Sequence, residues 1–525
     1  MELSKYQERI LEYFMSNPTG NMLIEALAGT GKTSTILELT KHTTTSDVYV
    51  AFNKSIQEEM TGKLVNPKTK CYTMHSLGYS VMRYNLELLH ITPEVDAYKS
   101  NKIFSDLYDK EYEPLKRTNY KKFNEYKKFL EKHYVSLYHI VRLKCIDCNN
   151  NSDGVLDNNA NRIKAVIDEL GLFQTDGQYV APEIEEILYF LRYIDAANNK
   201  VFEEQHICDF TDMLFITYNK LRSGLWKIPY WLYFTNIFAD EVQDFSPIQF
   251  KLIKFFKRKN GRFVFVGDKN QAIYGFSGAD IYAWNSIPQM FEPVKVFELP
   301  INYRCGKQIL ANVRKDFNIP ILPADNASEG SVQKIDNEKM YSLVNNNDFI
   351  LSRYNVDLIK CAVQLLKLKK KFYIHDTILI EAVISFIKDK AKSDLHTFAL
   401  YVDRILKDAA KNDENIKKID PEVLTQLEIS NVLIKTYSEE YHDSNDVQKF
   451  IQWIEANFSN LNNSNCIKLM SIHKSKGLES ANVFVLHEAL PQTQLARSDG
   501  MRTQEINLSY VAQTRAKDLL YLVGD

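Results

Sequence analysis

The segment Ala26-Leu27-Ala28-Gly29-Thr30-Gly31-Lys32-Thr33 carries the residue types that hold a polyphosphate. Gly29 and Gly31 open backbone conformations closed to bulkier residues, so consecutive N–H groups can curl toward one anion. Asn21–Glu25 ahead of it reads as a strand, and the stretch to about Lys41 behind it as a helix. A helix N-terminus adds partial positive charge at the point where phosphate would sit. In that setting Ala28, Gly29, Thr30 and Gly31 wrap the phosphates and Lys32 meets their β and γ oxygens. Thr33 offers a hydroxyl to Mg²⁺, and Ser34 follows in the first helical turn. Ala26 stands where the general pattern has its first glycine.

Far downstream, the hydrophobic run Phe234–Ala239 ends in Asp240-Glu241. An aspartate to hold Mg²⁺, beside a glutamate to position and deprotonate a water, is what triphosphate hydrolysis needs opposite a phosphate loop. Alone, the pair could be a strand end capped by solvated acids. With the loop upstream, both halves of one metal site are present.

These residues need a scaffold, and the chain has room for several domains in its 525 residues. With a net charge of −2 there is no overall basic surface, so a nucleic-acid site has to be a local groove. No apolar run is long enough to span a bilayer, and Met1-Glu2-Leu3-Ser4-Lys5 lacks a signal-peptide core. The expected location is cytoplasmic, or nuclear in a eukaryote. Seven scattered cysteines, an odd number, argue against a disulfide framework. Cys145 and Cys148 form a lone C-x-x-C with no second pair nearby, which favours reduced thiols over zinc.

Short apolar runs alternate with helical patterns near both ends, the α/β signature. Candidate strands are Met22–Glu25, Val48–Phe52, Lys70–Thr73, Ile237–Asp240, Arg262–Val266, Val294–Leu299, Phe349–Ser352, Ile467–Ile472, Val483–Leu486 and Leu519–Val523. Two polar, helical stretches break this rhythm. The expectation is an α/β fold with two cores, each split by a mainly helical insertion. The first core takes 1–83 and 206–293 around insertion 84–205; the second takes 294–374 and 466–525 around insertion 375–465.

Further segments follow in order. They are Leu3-Ser4-Lys5-Tyr6-Gln7, Ala51-Phe52-Asn53-Lys54-Ser55, Thr73-Met74-His75-Ser76-Leu77 and Asp209-Phe210-Thr211-Asp212-Met213-Leu214. Then come Asp240-Glu241-Val242-Gln243-Asp244, Val266–Phe276, Leu299–Arg304, Leu351–Asn355, Ser471–Glu479 and Tyr510–Lys517. This series resembles the superfamily 1A helicases of the UvrD/Rep/PcrA type. The form Phe52-Asn53-Lys54 is more similar to the F-box helicase branch. The resemblance implies two RecA-like P-loop NTPase domains with ATP and Mg²⁺ between them and single-stranded DNA crossing both.

It also implies roles. Gln7 reads adenine, Tyr303 stacks on it, and Glu479 bonds the ribose. Gln271 senses both γ-phosphate and strand. Arg304 and Arg515 act as arginine fingers on the γ-phosphate, where a surface salt bridge is the alternative. Phe52, Asn53, His75, Tyr274, Phe276, Arg353 and His473 line the strand's path, with Phe52 and Phe276 as alternative core residues. In the first insertion, Lys116, Arg117, Lys121, Lys122, Lys127 and Lys128 interleave with Tyr120, Phe123, Tyr126 and Phe129. Their spacing favours aromatics turned inward, with lysines left for phosphate.

Ser34 and Ser277 stand where relatives carry arginine, the second insertion is short, and the chain ends soon after Lys517. The implied activity is an ATP-dependent helicase moving 3′→5′ on single strands and junctions. RNA stays open as a substrate. Alternatives are a translocase that strips proteins from strands with little unwinding, and an ATP-switched regulatory protein.

Overall fold

The computed structural model describes residues 3–146, 156–173, 181–279, 283–375, 377–391, 394–411, 421–441, 445–458, 465–486, 490–491, 493, 496 and 498–524. They group into two units. Unit 1 takes the described residues up to 300 and those from 496 to 504; unit 2 takes those from 301 to 493 and from 505 to 524.

In unit 1, β1 (Asn21–Ala26), β2 (Asp47–Ala51) and β3 (Thr69–Thr73) precede a short ladder of β4 (Glu94–Val95) and β5 (Ile207–Cys208). β6 (Phe234–Ala239), β7 (Lys257–Gly267) and β8 (Val294–Leu299) complete a six-stranded sheet in the order β3-β2-β6-β7-β1-β8. Its pairings are all parallel. Parallel strands are covered on both faces, so both sets of alternating side chains are apolar. Val48, Val50, Ile237, Phe263 and Phe265 enter one core, and Tyr49, Ala51, Phe238, Val264 and Val266 the other.

The second of these cores is covered by α1 (Lys5–Ser16) and α2 (Lys32–Lys41). The first is covered by α4 (Met74–Glu87), which follows α3 (Lys54–Thr61), and by helices that come after the insertion. The insertion consists of α5 (Lys99–Glu111), α6 (Glu113–Thr118), α7 (Tyr120–Leu143), α8 (Leu156–Leu170) and α9 (Ile184–Gln205). It is less polar than its composition suggests, because it buries a core of its own that includes Phe104, Tyr108, Phe123, Tyr134 and Phe190. After it come α10 (Phe210–Arg222), α11 (Pro247–Ile253) and α12 (Ala283–Met290). Helices α4 and α10 pack so closely that a Cβ on Gly78 would lie 2.1 Å from the Met213 carbonyl oxygen.

All ten runs read as strands form them, but one belongs elsewhere. Val294–Leu299, assigned from sequence to the second core, pairs along its whole length with β1 as the edge of the first sheet. Its pattern is that of any half-buried strand, and the following Pro300 gives no clue to which sheet it joins.

Unit 2 opens with β9 (Ile301–Asn302), α13 (Lys307–Phe317) and β10 (Leu322–Pro323), where β9 and β10 pair. β11 (Ser331–Ile335), β12 (Phe349–Ser352), β13 (Phe372–Ile374), β14 (Ile467–Ser471), β15 (Ser480–Leu486) and β16 (Ala516–Val523) form a second parallel sheet, ordered β11-β16-β15-β12-β14-β13. Two edge strands escaped the sequence reading: β11 is partly exposed and mixes polar with apolar residues, and β13, though apolar and half-buried to buried, is only three residues long. The helices between β13 and β14, among them Pro421–Glu440 and Val447–Phe458, share one continuous core with this sheet through Ile359, Leu433, Phe450 and Leu469.

Candidate nucleotide site and strand-contact residues

Because every strand of the first sheet runs the same way, the carboxyl ends of β1, β2, β3, β6 and β7 share one edge. The phosphate loop leaves β1 there. Gly29 and Gly31 take φ of 65° and 83°, and Gly31 is the N-cap of α2. Thr30 locks the curl by donating its hydroxyl to the Leu27 carbonyl at 2.8 Å. Thr33 is half-buried and Ser34 exposed in the first turn of α2. Gln7 is fixed beside the loop: its carbonyl oxygen accepts from the Ser4 N–H at 3.0 Å, and its Nε2 donates to Thr35 Oγ1 at 3.0 Å.

Asp240 and Glu241 leave β6 at the same edge. Lys32 Nζ lies 3.3 Å from Glu241 Oε1, which joins the two sequence signals. The Asp240 carboxylate is buried; its Oδ2 accepts from the Tyr49 hydroxyl at 2.5 Å and its Oδ1 from the Glu241 N–H at 2.8 Å. Burial, then the charge of Glu241, pushes its pKa up to about 6, against the pull of Tyr49 and Lys32. A buried carboxylate so disposed suits a hard cation that keeps part of its water and phosphate shell, as Mg²⁺ does. Among the described residues no group of three or more His, Cys, Asp and Glu could hold a metal, Cys145 included; Cys148 lies outside them.

Glu241 takes a left-handed φ of 51°, a conformation that bulky residues adopt only under local constraint. The constraint is a hydrogen-bond chain. Gln243 Nε2 donates to Glu241 Oε2, and Gln243 Oε1 accepts from the Asp268 N–H at 3.0 Å. Asp268 Oδ2 then accepts from Gln271 Nε2 at 2.8 Å. Gln271 is buried, and this chain connects it to Glu241 through two intervening residues. Sequence reasoning gave Tyr49, Gln243 and Asp268 no role. Tyr49 is one residue in a fully buried strand, and only the register of β2 against β6 reveals what its hydroxyl meets.

Aromatic side chains gather at the same edge. Phe52 stacks on Tyr274 with ring centroids 5.4 Å apart, and Tyr274 meets Phe276 edge-on at 6.0 Å. Phe276 is 53% exposed, so of the two residues suspected as core it is not one. Phe52 is half-buried. Asn53 is exposed, but its side chain caps α3 by accepting from the Ile56 N–H at 2.9 Å. His75 meets the exposed ring of Phe210 at 6.5 Å, and burial lowers its pKa. In the insertion, Phe123 is buried and Tyr126 and Phe129 pack against the same core, while Tyr120 stays exposed. Lys116 and Lys127 both pair with Asp109.

Unit 2 carries the remaining candidates. Arg304 Nε donates to Glu479 Oε2 at 2.5 Å, and Lys517 pairs with the other oxygen at 2.7 Å. Burial works against the Glu479 carboxylate, but Lys517 and Arg304 outweigh it and hold its pKa down. The salt bridge considered for Arg304 is therefore present, with the residue expected to bond ribose as its partner. Arg515 is 1% exposed, and its guanidinium donates to the carbonyls of Val511 at 2.9 Å and Leu478 at 3.3 Å. Tyr303 is 52% exposed beside Arg304. Arg353 forks onto Glu505, with contacts of 2.9 and 3.1 Å. Burial, with Arg353 and Lys476, pushes His473 down to about 4, so it is neutral at physiological pH.

The model of the UvrD/REP helicase N-terminal domain family matches residues 5–292. Curated relatives agree. F-box DNA helicase protein 1 of Schizosaccharomyces pombe is 25% identical over 99% of this chain and 57% of its own length. A protein of Mycoplasma genitalium named as a DNA helicase II homolog is 25% identical over 68% of this chain and 63% of its own. ATP-dependent DNA helicase Rep of Buchnera aphidicola is 25% identical over 59% and 42%. The chain thus spans about half the length of the curated relatives it matches. The family match covers more than half of the chain and includes the phosphate loop, Asp240-Glu241 and Gln271, and on that ground this protein belongs to the UvrD/REP helicase family.

Proposed function

We propose that the protein is an ATP-dependent DNA helicase or translocase that moves 3′→5′ on single-stranded DNA. The observation that carries this reading is the hydrogen-bond chain from Glu241 through Gln243 and Asp268 to Gln271, starting 3.3 Å from Lys32. It joins Glu241, the group proposed to activate water, to a segment that continues into Tyr274 and Phe276. Family membership and the names of the relatives support the same reading.

In it, the loop Ala28–Thr33 binds the phosphates, and Lys32 releases Glu241 as it takes up the γ-phosphate. Glu241, freed from its ion pair, orients the attacking water and accepts its proton. Thr33 and Asp240 would hold Mg²⁺, which would supply charge neutralisation to the triphosphate. Gln7 and Tyr303 bind the base. Arg304 and Arg515 of unit 2 stabilise charge on the transferring phosphoryl group, Arg304 exchanging Glu479 for phosphate. Phe52, Tyr274 and Phe276 stack on bases, and Asn53, His75, Arg353 and His473 contact the strand.

Partial duplexes with a 3′ or a 5′ single-stranded tail test the polarity. The 3′-tailed substrate should be unwound with ATP, and unwinding of the 5′-tailed one alone would overturn the direction. Stimulated hydrolysis with neither duplex opened would mark a translocase.

A further inference from the structure

Acidic residues make up 67 of the 525 in the chain, yet none occurs between Asp212 and Asp240 or between Asp244 and Asp268. Those two segments carry Lys220, Arg222, Lys227, Lys251, Lys254, Lys257, Arg258, Lys259 and Arg262. Among the described residues only Lys220 has a carboxylate partner, Glu203 at 3.2 Å. Elsewhere in the chain, surface lysines are commonly paired within their own helix.

The fold brings the segments together. Phe234 of β6 pairs with Lys257 of β7, and Arg258 Nε donates to the Tyr233 carbonyl at 3.0 Å. The turn before β6, Tyr230–Leu232, is latched to α4 by Asn85, which bonds the Lys227 N–H at 2.9 Å and its carbonyl at 2.8 Å. Tyr230 is 80% exposed and Trp231 41% exposed, their rings 5.2 Å apart and nearly perpendicular. Trp231 is propped edge-on by Tyr84 at 5.3 Å, which braces its ring from one side. Lys227, Arg258 and Lys259 are exposed around them.

We propose that this surface is a second contact site for a single-stranded polynucleotide. Exposed rings, one of them braced by Tyr84, offer faces for unpaired bases, and unneutralised cations beside them take the phosphates. A duplex would hide its base faces from Tyr230 and Trp231. The patch lies at the amino-terminal ends of β6 and β7, whereas Asp240 and Gln271 follow their carboxyl ends. At about 3.3 Å per residue, the length of β6 separates the two edges by about 20 Å. The site is therefore distinct from the Phe52–Tyr274–Phe276 cluster and does not depend on it.

The test measures binding of a labelled oligo(dT) of about 30 nucleotides against salt concentration. Arg258→Ala with Lys259→Ala should weaken binding about tenfold or more and reduce the salt slope by about two. Tyr230→Ala with Trp231→Ala should weaken binding to oligo(dT) but not to an abasic strand of equal length. Hydrolysis of ATP without nucleic acid should stay at the wild-type rate in both variants, certifying the fold. Unchanged affinity and slope would overturn the proposal. So would competition by poly-glutamate as strong as by oligo(dT), which would mark a surface for an acidic protein. If hydrolysis proves indifferent to strands while these variants still lose oligo(dT), the motor reading fails and this site stands.

Discussion

Asp212 is the hub of a buried ionic cluster, and neutralising it should loosen the helical insertion from the first sheet. It is fully buried on α10 and lies 2.9 Å from Lys99 of α5 and 2.7 Å from Arg142 of α7, both also buried. Asn198 of α9 donates to it at 2.7 Å, and the Asp209 N–H at 3.0 Å. The Arg142 guanidinium stacks over the Phe215 ring at 4.3 Å. Burial opposes the Asp212 charge, but Arg142 and Lys99 outweigh it and hold the pKa down. Asp212→Asn leaves two buried cations facing only Asp209 and Asp195, a change that costs about 3–5 kcal/mol.

Against a native stability of about 5–15 kcal/mol, that loss is a large fraction. It should appear as amide exchange about 10² to 10⁴-fold faster in α5, α7 and α10, with the strands of unit 2 as internal control. Adding Lys99→Met removes one stranded cation and should recover part of the protection. The depressed pKa gives the pH sense: this stabilisation is present at neutral pH and lost as pH falls through the native pKa of Asp212. Exchange within about fivefold of wild type, roughly 1 kcal/mol, would refute the reasoning, as would a double variant no better protected than the single one.

Three shorter predictions follow from the nucleotide site. Asp240→Asn should abolish hydrolysis in the presence of Mg²⁺ and, in EDTA, should stabilise the protein at neutral pH. The native pKa of about 6 lies above the ordinary 3.8, so stability falls as pH rises between them, by about 3 kcal/mol in all. Asparagine keeps only one of two acceptors in use, which returns about 1 kcal/mol, so urea unfolding should show a gain of about 2 kcal/mol that vanishes near pH 4. Gly267→Ala should lower turnover by about 10²-fold with nucleotide affinity retained, since its Cβ would lie 2.3 Å from Gln243 Oε1 and displace the group holding Glu241. Arg515→Ala should abolish turnover yet leave nucleotide binding, read by a fluorescent ATP analogue, nearly intact.

What was legible in the sequence is what short-range pattern determines. Gly29, Gly31 and Lys32 announce their loop because only those residue types serve it, and ten of the twelve strands in the two sheets announce themselves through apolar runs, β11 and β13 being the exceptions. Long-range pairing was not legible. Nothing in Val294–Leu299 says that it lies beside β1, nor in Tyr49 that its hydroxyl meets Asp240, 191 residues away. The partners of Arg304 and Arg353 were hidden for the same reason. Glu479 was expected at the ribose and Glu505 had no assigned role, and neither position says in sequence that the fold sets an arginine beside it.

The most direct test of the central claim is ATP hydrolysis with and without single-stranded DNA, with single-stranded RNA in parallel and Lys32→Ala as the blank. Strong stimulation by DNA that disappears in Lys32→Ala is the predicted result. Wild-type turnover in Lys32→Ala, or hydrolysis indifferent to either strand, would contradict it.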